Sequence, residues 1–314
     1  ISQYTIDGQN GKLRHNGYAQ TGSEPVHLAV DPSNRFVFSA NNNSHNISVF
    51  ALNQQTGRLE LSSVTPTGNY PQWVAVHPNG KFLYSVSFGT NRLYIFSIDQ
   101  VTGALTQTTS QIVAADLRSV TLDRTGRFAY IVESSTNTIR RYSVDAVSGN
   151  LTFQSSVAAG TTPYEFRLHP NGNFAYTVNE NSNDIWVYAV NPQTGILTLT
   201  ATTPVFGARS ITIDTTGRFA YVPSIGFNQI YQFAINTSTG ALTAIGTPVS
   251  VYQAPRMVSI DASGKYLYSV NGGANTIETY AIDQITGELS RIGRLASQQV
   301  PYYMALSSGA KPVG

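Results

Sequence analysis

Seven charged side chains are candidates for chemistry in a chain that is otherwise weakly charged. The 314 residues include 19 lysines and arginines and 17 aspartates and glutamates, and the formal net charge is +2. Guanidinium groups bind planar carboxylates and phosphates through paired hydrogen bonds, and a carboxylate beside them can act as a general base. The candidates are Arg118, Arg167, Arg209, Arg256, Glu133, Glu165 and Glu180. Their chemistry depends on whether the fold brings them together.

Aromatic side chains and one histidine accompany these charges. Aromatic faces bind sugar rings and apolar groups. The set is His27, Trp73, Tyr164, Tyr302 and Tyr303. We expect the charged and aromatic residues to form a binding site for a small anionic or carbohydrate ligand, or for a neighbouring protein. The alternative is that the charges form ion pairs that lock the fold.

An internal repeat reveals the elements that must position these residues. A glycine turn, written NG, TG or SG, recurs seven times at intervals of 45 to 47 residues. Its glycines are Gly11, Gly57, Gly103, Gly149, Gly195, Gly240 and Gly287. A constant period of this length is typical of proteins that are built from one repeated structural unit.

Each repeat predicts four short antiparallel strands. Apolar and polar residues alternate with a period of two between residues 71 and 110, and Gly, Pro, Asn and Asp separate runs of Val, Ile, Tyr, Phe and Thr. Four such strands per repeat are typical of a β-propeller blade. The sequence therefore predicts an all-β fold, a seven-bladed β-propeller with four-stranded antiparallel blades.

The predicted ring is one domain that spans residues 1–314. Full repeats begin near residues 25, 71, 117, 163, 208 and 255, and the seventh blade is split between 1–24 and 299–314. N- and C-terminal strands close this last blade, with Pro301 to Leu306 as its innermost strand and Ile1 to Asp7 as its third. The period lacks about eight residues of that blade, and we expect native residues before Ile1 to supply them.

Propeller geometry predicts that the candidate residues share one mouth of the ring. The first strand of each blade lies nearest the axis, and its start borders the loops between the second and third strands. One position in this strand holds a small residue in six repeats: Ala29, Ala75, Thr121, Thr212, Ser259 and Ala305. Arg167 is the exception. An arginine there requires either a wet channel or an ion-pair partner.

Aspartates and histidines recur in the turn that follows the first strand. They are Asp31, His77, Asp123, His169, Asp214 and Asp261. Repetition of the position in blade after blade indicates turn closure by the side chain and not a metal site. We predict no metal and no cofactor.

The repeat pattern resembles the lactonase and YVTN-repeat family of seven-bladed propellers. The pattern is complete at residues 71–84, PQWVAVHPNGKFLY, and it covers the whole chain. Members of this group include propeller-type 6-phosphogluconolactonases and the fungal carboxymuconate cyclase. The resemblance implies chemistry on a lactone ring, although the pattern itself consists of core and turn residues.

Two of seven short motifs of the lactonase branch remain in this chain, Asn179-Glu180 and Pro255-Arg256. The others are replaced by Ser87-Phe88-Gly89-Thr90, Leu117-Arg118-Ser119, Glu133-Ser134-Ser135-Thr136-Asn137, Pro163-Tyr164-Glu165 and Ser224-Ile225-Gly226. The histidines of the family pattern are lost with them. If the chain is a lactonase, the resemblance leaves Glu180 as the base toward a water, with Arg256 and Arg209 to polarise the lactone carbonyl.

Our leading hypothesis from the sequence is a non-catalytic, exported propeller that binds a ligand or assembles with a protein through its arginine- and aromatic-rich face. The alternative is a lactonase or cyclase that acts on an acidic sugar lactone such as 6-phosphogluconolactone. A glycan-binding lectin is a third possibility. The weak net charge argues against nucleic-acid binding. The sequence contains no apolar run of about 20 residues, the length that a membrane span needs, so we do not expect membrane insertion.

The composition also bears on location. The chain contains no cysteine, and its low charge accompanies abundant Asn, Thr, Ser and Tyr. We expect an extracellular, cell-surface or periplasmic protein, and a cytoplasmic one if the lactonase alternative holds.

Overall fold

A computed structural model describes residues 1–113, 115–298 and 300–307. These residues form 27 β-strands and one short turn of 3₁₀ helix at Phe88–Thr90. They fall into two compact units. The first comprises residues 1–5, 15–156 and Ser307, and the second comprises residues 6–14 and 157–306. Among the described residues, no helix is long and apolar enough to cross a membrane.

The first unit contains three four-stranded antiparallel sheets, apart from the last two residues of β14. Their strands are β3 (Pro25–Val30), β4 (Phe36–Asn41), β5 (Asn46–Leu52) and β6 (Leu59–Pro66), then β7 (Pro71–Val76), β8 (Phe82–Ser87), β9 (Arg92–Ile98) and β10 (Leu105–Ile112), then β11 (Leu117–Leu122), β12 (Phe128–Glu133), β13 (Thr138–Val144) and β14 (Leu151–Ala158). A separate two-stranded sheet pairs β1 (Ser2–Ile6) with β2 (Leu13–Tyr18).

The second unit contains three more sheets of the same meander topology. Their strands are β15 (Pro163–Leu168), β16 (Phe174–Asn179), β17 (Asp184–Val190) and β18 (Leu197–Pro204), then β19 (Thr212–Ile213), β20 (Phe219–Ser224), β21 (Gln229–Ile235), β22 (Leu242–Ala244) and β23 (Val249–Ser250), then β24 (Pro255–Ile260), β25 (Tyr266–Asn271), β26 (Thr276–Ile282) and β27 (Leu289–Ala296). In the middle sheet β22 and β23 both pair with β21, so two short strands share the outer position.

The strand pattern confirms the predicted all-β fold with four-stranded antiparallel blades. Five of the six predicted repeat starts coincide with the first residue of a sheet's first strand. In the repeat that was predicted to start near residue 208, this first strand begins later and is shorter. Only Thr212–Ile213 form a strand there, with an isolated bridge between Ala208 and Ser224.

The prediction of an innermost strand from Pro301 to Leu306 is wrong, since residues 301–307 carry no strand. A strand needs a neighbour for its backbone hydrogen bonds, and the described residues supply none here. The amide of Met304 contacts the sulfur of Met257 instead. The predicted third strand at Ile1 to Asp7 is present as β1. Residues 299 and 308–314 of the predicted split blade lie outside the described residues.

Apolar side chains pack between consecutive sheets within each unit. In the first unit, Phe38 and Val49 share a fully buried cluster with Leu83 of the next sheet. In the second unit, Tyr176 and Val187 pack in the same way against the following sheet. The alternation of side chains in each strand produces this core, because both faces of an inner strand meet a neighbouring sheet.

Buried tyrosines tie the sheets together. The hydroxyl of Tyr84 donates to the carbonyl of Gly149, 2.9 Å away, in the turn of the following sheet. The second unit repeats this bond from Tyr176 to Gly240 and from Tyr221 to Gly287. Each hydroxyl is therefore satisfied inside the core.

These tyrosines predict a loss of stability at alkaline pH. Burial raises the pKa of Tyr84, Tyr176 and Tyr221 above the ordinary value of 10.0. In the unfolded chain these phenols ionise near pH 10, while in the folded protein they keep their protons. The unfolded state then binds fewer protons, so the free energy of unfolding falls as the pH rises above about 10. Urea unfolding from about pH 8 to about pH 11 measures this, and a constant free energy over that range contradicts it.

The recurring turn residues have the predicted structural role. The Asp31 Oδ1 atom accepts hydrogen bonds from the amides of Arg35 and Phe36, at 2.7 and 2.6 Å. His77 contacts the carbonyl of Gly126 at 2.9 Å through Nε2. The aspartates close their own turns, and this histidine joins its turn to that of the next sheet.

Candidate functional site

Strand β15 supplies three of the predicted site residues. Its pairing with β16 shifts register between Pro163 and Glu165, and the intervening Tyr164 is left as a β-bulge. A bulge turns a side chain away from the regular alternation of the strand. Tyr164 is accordingly partly accessible, whereas Glu165 beside it is buried at 3% exposure.

Arg167 forms an ion pair with the buried Glu165 on its own strand. Tyr303 also hydrogen-bonds Arg167. Burial opposes the charge of Arg167, but the attraction of Glu165 and the contact with Tyr303 raise its pKa above the ordinary value. Burial likewise raises the pKa of Tyr303 to about 12, although Arg167 lowers it in part. The structure thus supplies an ion-pair partner for Arg167, which is one of the two alternatives expected from the sequence, and 35% of its side-chain surface remains accessible.

Glu180 and Arg209 form a second ion pair. Both Nε, at 2.8 Å, and one terminal nitrogen of Arg209 contact the same carboxylate oxygen, Oε1. The guanidinium also lies 5.4 Å from the centre of the Tyr164 ring, a cation–π contact. Both charged side chains are part-exposed, at 27% for Glu180 and 38% for Arg209. This pair can therefore reach a ligand in solution.

Arg256 differs from the other two arginines. Its guanidinium carbon lies 3.9 Å from the centre of the Tyr302 ring. No carboxylate of the described residues lies within ion-pair distance of it. Its Nε is buried and has no hydrogen-bond partner in the described part of the chain, and the same holds for the Nε of Arg167. A buried donor without a partner costs free energy, so this group favours binding an acceptor.

These residues form one connected set, which we call the arginine cluster. Its members, all in the second unit, are Tyr164, Glu165, Arg167, Glu180, Arg209, Arg256, Tyr302 and Tyr303. Chain neighbours connect the three pairs, because Tyr164 precedes Glu165 and Tyr302 precedes Tyr303. Two carboxylates neutralise two arginines, so the cluster keeps one positive charge at Arg256. An anionic group is the complementary ligand.

Left-handed residues fix the backbone of the cluster. The amide of Glu180 donates to the carbonyl of Thr162, whose φ is 56°. Three left-handed asparagines each accept a hydrogen bond through the side-chain oxygen. The donors are backbone amides that lie shortly before the other cluster residues in the chain. The bonds run from Gly207 to Asn183, from Ala254 to Asn228 and from Val300 to Asn275. Asn91 and Asn137 of the first unit are left-handed at the equivalent places, so this backbone is a feature of the repeat and not of the cluster alone.

Our reading of the sequence overlooked these asparagines, although the signal was present. Asn91, Asn137, Asn183, Asn228 and Asn275 stand at equivalent places before the third strand of five repeats. Asparagine tolerates the left-handed conformation that the turn requires.

The predicted site residues of the first unit make separate, local contacts. Arg118 pairs with Asp116 at 2.9 Å and lies over the ring of Phe88. The carboxylate of Glu133 is 2.5 Å from Arg140, and the residue is buried at 1% exposure.

His27 is also buried, at 4% exposure, and stacks on Trp73 with ring centres 3.7 Å apart. For Glu133 and His27 the packing is that of interior residues. Their role as direct ligand contacts stays a prediction.

Comparison with known proteins identifies the family. The model of the family described as "Lactonase, 7-bladed beta-propeller" matches residues 1–76, 64–164, 114–210 and 154–306. The chain belongs to the lactonase family. The family description has seven blades, and the described residues contain six sheets with a blade's complement of strands and one two-stranded sheet. No curated protein matches the chain.

Several solved structures share the fold. A protein from Bacteroides uniformis, assigned as a 6-phosphogluconolactonase, is 21% identical over 96% of this chain and 93% of its own, with a TM-score of 0.88. A similarly assigned Bacteroides fragilis protein is 21% identical over 96% and 92%, with a TM-score of 0.86. The periplasmic gluconolactonase PpgL of Pseudomonas aeruginosa is 19% identical over 96% and 94%, with a TM-score of 0.85. Identities this low show a common fold alone.

The family match corrects the leading hypothesis from the sequence. A non-catalytic binding or assembly module is wrong, because the whole described repeat array matches the lactonase family. The alternative, a lactone hydrolase, is the function that the match supports. The lost motifs misled the sequence reading, since a family's loops vary while its blades remain recognisable.

Proposed function

We propose that this protein hydrolyses the ring ester of an acidic sugar lactone. The observation that carries the proposal is the arginine cluster, in which an accessible glutamate–arginine pair adjoins an arginine that lacks a counter-charge. The first feature suits ester hydrolysis, and the second suits the recognition of a phosphate or carboxylate on the substrate.

Glu180 is the general base in this proposal. Both contacts from Arg209 go to Oε1, which leaves Oε2 to accept a proton from water. The resulting hydroxide adds to the lactone carbonyl, and Arg209 stabilises the negative charge on the carbonyl oxygen. The ring C–O bond then breaks, and the alkoxide takes the proton from Glu180. The product is the open hydroxy acid, and the carboxylate of Glu180 is restored.

Arg256 holds the acidic group of the substrate. Its buried Nε gains the acceptor that it lacks, and Tyr302 keeps the plane of the guanidinium fixed. A phosphate fits this edge through paired hydrogen bonds. The substrate class is therefore a lactone with an acidic substituent, such as 6-phosphogluconolactone.

This assignment predicts a loss of selectivity when Arg256 is replaced. We expect Arg256→Gln to lower kcat/KM for 6-phosphogluconolactone by about 10- to 100-fold, since hydrogen bonds to charged groups contribute about 1.5–3 kcal/mol. The kcat/KM for the uncharged δ-gluconolactone should change less than about twofold, because that substrate has no group for Arg256 to bind.

Arg294→Gln is the matched control. Arg294 also lies over a tyrosine ring, that of Tyr252 at 4.5 Å, but it stands outside the arginine cluster. Steady-state kinetics with both lactones make the comparison. An equal loss for the two lactones in Arg256→Gln removes Arg256 as the anion-binding residue.

We also propose that residues 1–314 form one seven-bladed ring whose last blade combines both ends of the chain. The family description of seven blades and the repeat period support this. The sheet of β1 and β2 contributes two strands to that blade. An experimental structure in which this sheet and residues 301–307 belong to different blades would contradict the proposal.

We further propose a cytoplasmic location, because that is the expectation that accompanies the lactonase alternative. Detection of the protein only outside the cytoplasm of the source cells would overturn it.

A further inference from the structure

Arg167 occupies a position where the other repeats have small side chains. The equivalent residues are Ala29, Ala75, Thr121, Thr212, Ser259 and Ala305. A repeat that replaces a small residue with arginine must also provide for its charge and length. The structure shows two such provisions, Glu165 and Tyr303.

The contact with Tyr303 bears on the rest of the arginine cluster. Residues 301–307 have no strand, so pairing with a neighbouring strand does not fix this segment. At its start, the amide of Val300 bonds Asn275 at 2.6 Å. Within it, Tyr303 is hydrogen-bonded to Arg167. The ring centre of the adjacent Tyr302 lies 3.9 Å from the guanidinium carbon of Arg256.

Arg167 and Arg256 differ in their available charge. The carboxylate of Glu165 is almost fully buried, with 4% of its side-chain surface exposed, and it takes the charge of Arg167. No such carboxylate among the described residues serves Arg256. Arg256 is thus the stronger ligand for an anion, whereas Arg167 is already engaged by Glu165 and Tyr303.

We propose that Arg167 is a positioning residue for substrate binding. Its contact with Tyr303 fixes the position of that residue and therefore of the adjacent Tyr302. Tyr302 packs on Arg256 and orients its guanidinium toward the acidic group of the substrate. The inference rests on the proposed function for the role of Arg256. It adds a residue that contacts neither the lactone nor its acidic group.

A double-mutant cycle with inorganic phosphate tests the proposal without requiring catalysis. Calorimetric titration measures the Kd of phosphate for the wild type, Arg167→Gln, Arg256→Gln and the double variant. We expect each single change to weaken binding by about tenfold or more. The double variant should bind no more weakly than Arg256→Gln, because Arg167 acts through Arg256.

Kinetics provide a second readout. Arg167→Gln should raise KM for 6-phosphogluconolactone by about tenfold and leave kcat within about twofold, because Glu180 and Arg209 are untouched. A purely structural role would lower thermal stability and leave Kd and KM unchanged. If the lone Glu165 charge prevents folding of Arg167→Gln, the Glu165→Gln/Arg167→Gln pair removes both charges and should show the same weakened Kd.

The outcomes separate the two proposals. Additive losses in the double variant mean that Arg167 binds the anion directly, and this overturns the positioning role. An unchanged Kd and KM in both Arg167 variants overturns it as well. If the phosphate cycle behaves as expected but the wild type hydrolyses no lactone, the proposed function fails and the role of Arg167 in anion binding stands.

Discussion

Replacing Glu180 with glutamine should lower kcat for lactone hydrolysis by about 100- to 10,000-fold, the usual contribution of a general base. The amide cannot take a proton from water, while its oxygen still accepts the bonds from Arg209. Binding of the acidic substituent at Arg256 is unaffected, so KM should stay within about threefold of the wild type. Initial-rate kinetics, corrected for spontaneous hydrolysis, measure both constants.

Glu288→Gln is the matched control for this change. Glu288 is an exposed glutamate of the same unit and lies outside the arginine cluster. It should retain the wild-type kcat. A Glu180→Gln variant with an unchanged rate removes Glu180 as the base, whatever the wild type hydrolyses.

The largest effect on stability is expected at the glycine turns. In Gly287→Ala, a Cβ atom would lie 2.4 Å from the ring of Phe219 in the preceding sheet, and the φ of 78° disfavours any side chain. We expect the left-handed conformation to cost about 1–2 kcal/mol and the overpacking to add about 1–3 kcal/mol. The free energy of unfolding should fall by the sum of both contributions.

Gly172→Ala separates the two contributions. Gly172 has the same φ of 78°, but its Cβ would meet no atom within 4 Å. This variant should lose only the conformational part. Urea unfolding of both variants gives the difference, which measures the packing of the turn on the neighbouring sheet. Equal losses in the two variants would show that the contact with Phe219 adds nothing.

The blades could be predicted from the sequence because their determinants are local and repeated. Asp31 shows this clearly, since its carboxylate closes a turn within five residues of itself. The absence of a strand at residues 301–306 could not be predicted in this way, because a strand depends on a partner elsewhere in the chain.

The contacts of the candidate site were predictable only in part. Glu133 is the last residue of β12, whereas Glu180 follows the last residue of β16. One residue of offset reverses the direction of a side chain, so Glu133 is buried and Glu180 is accessible. Aligning the repeats reveals this difference. The ion pair between Arg209 and Glu180 forms because the two side chains are long enough to meet between their loops. The spacing of residues in the sequence does not specify such a contact.

The central claim is that the chain is a hydrolase for acidic lactones. The rate of 6-phosphogluconolactone opening by the wild-type protein, measured against the same buffer without protein, tests it most directly. We predict a rate that exceeds the spontaneous one, rises in proportion to protein concentration and saturates with substrate. A rate equal to that of buffer at every protein concentration, for this lactone and for muconolactone, would contradict the account.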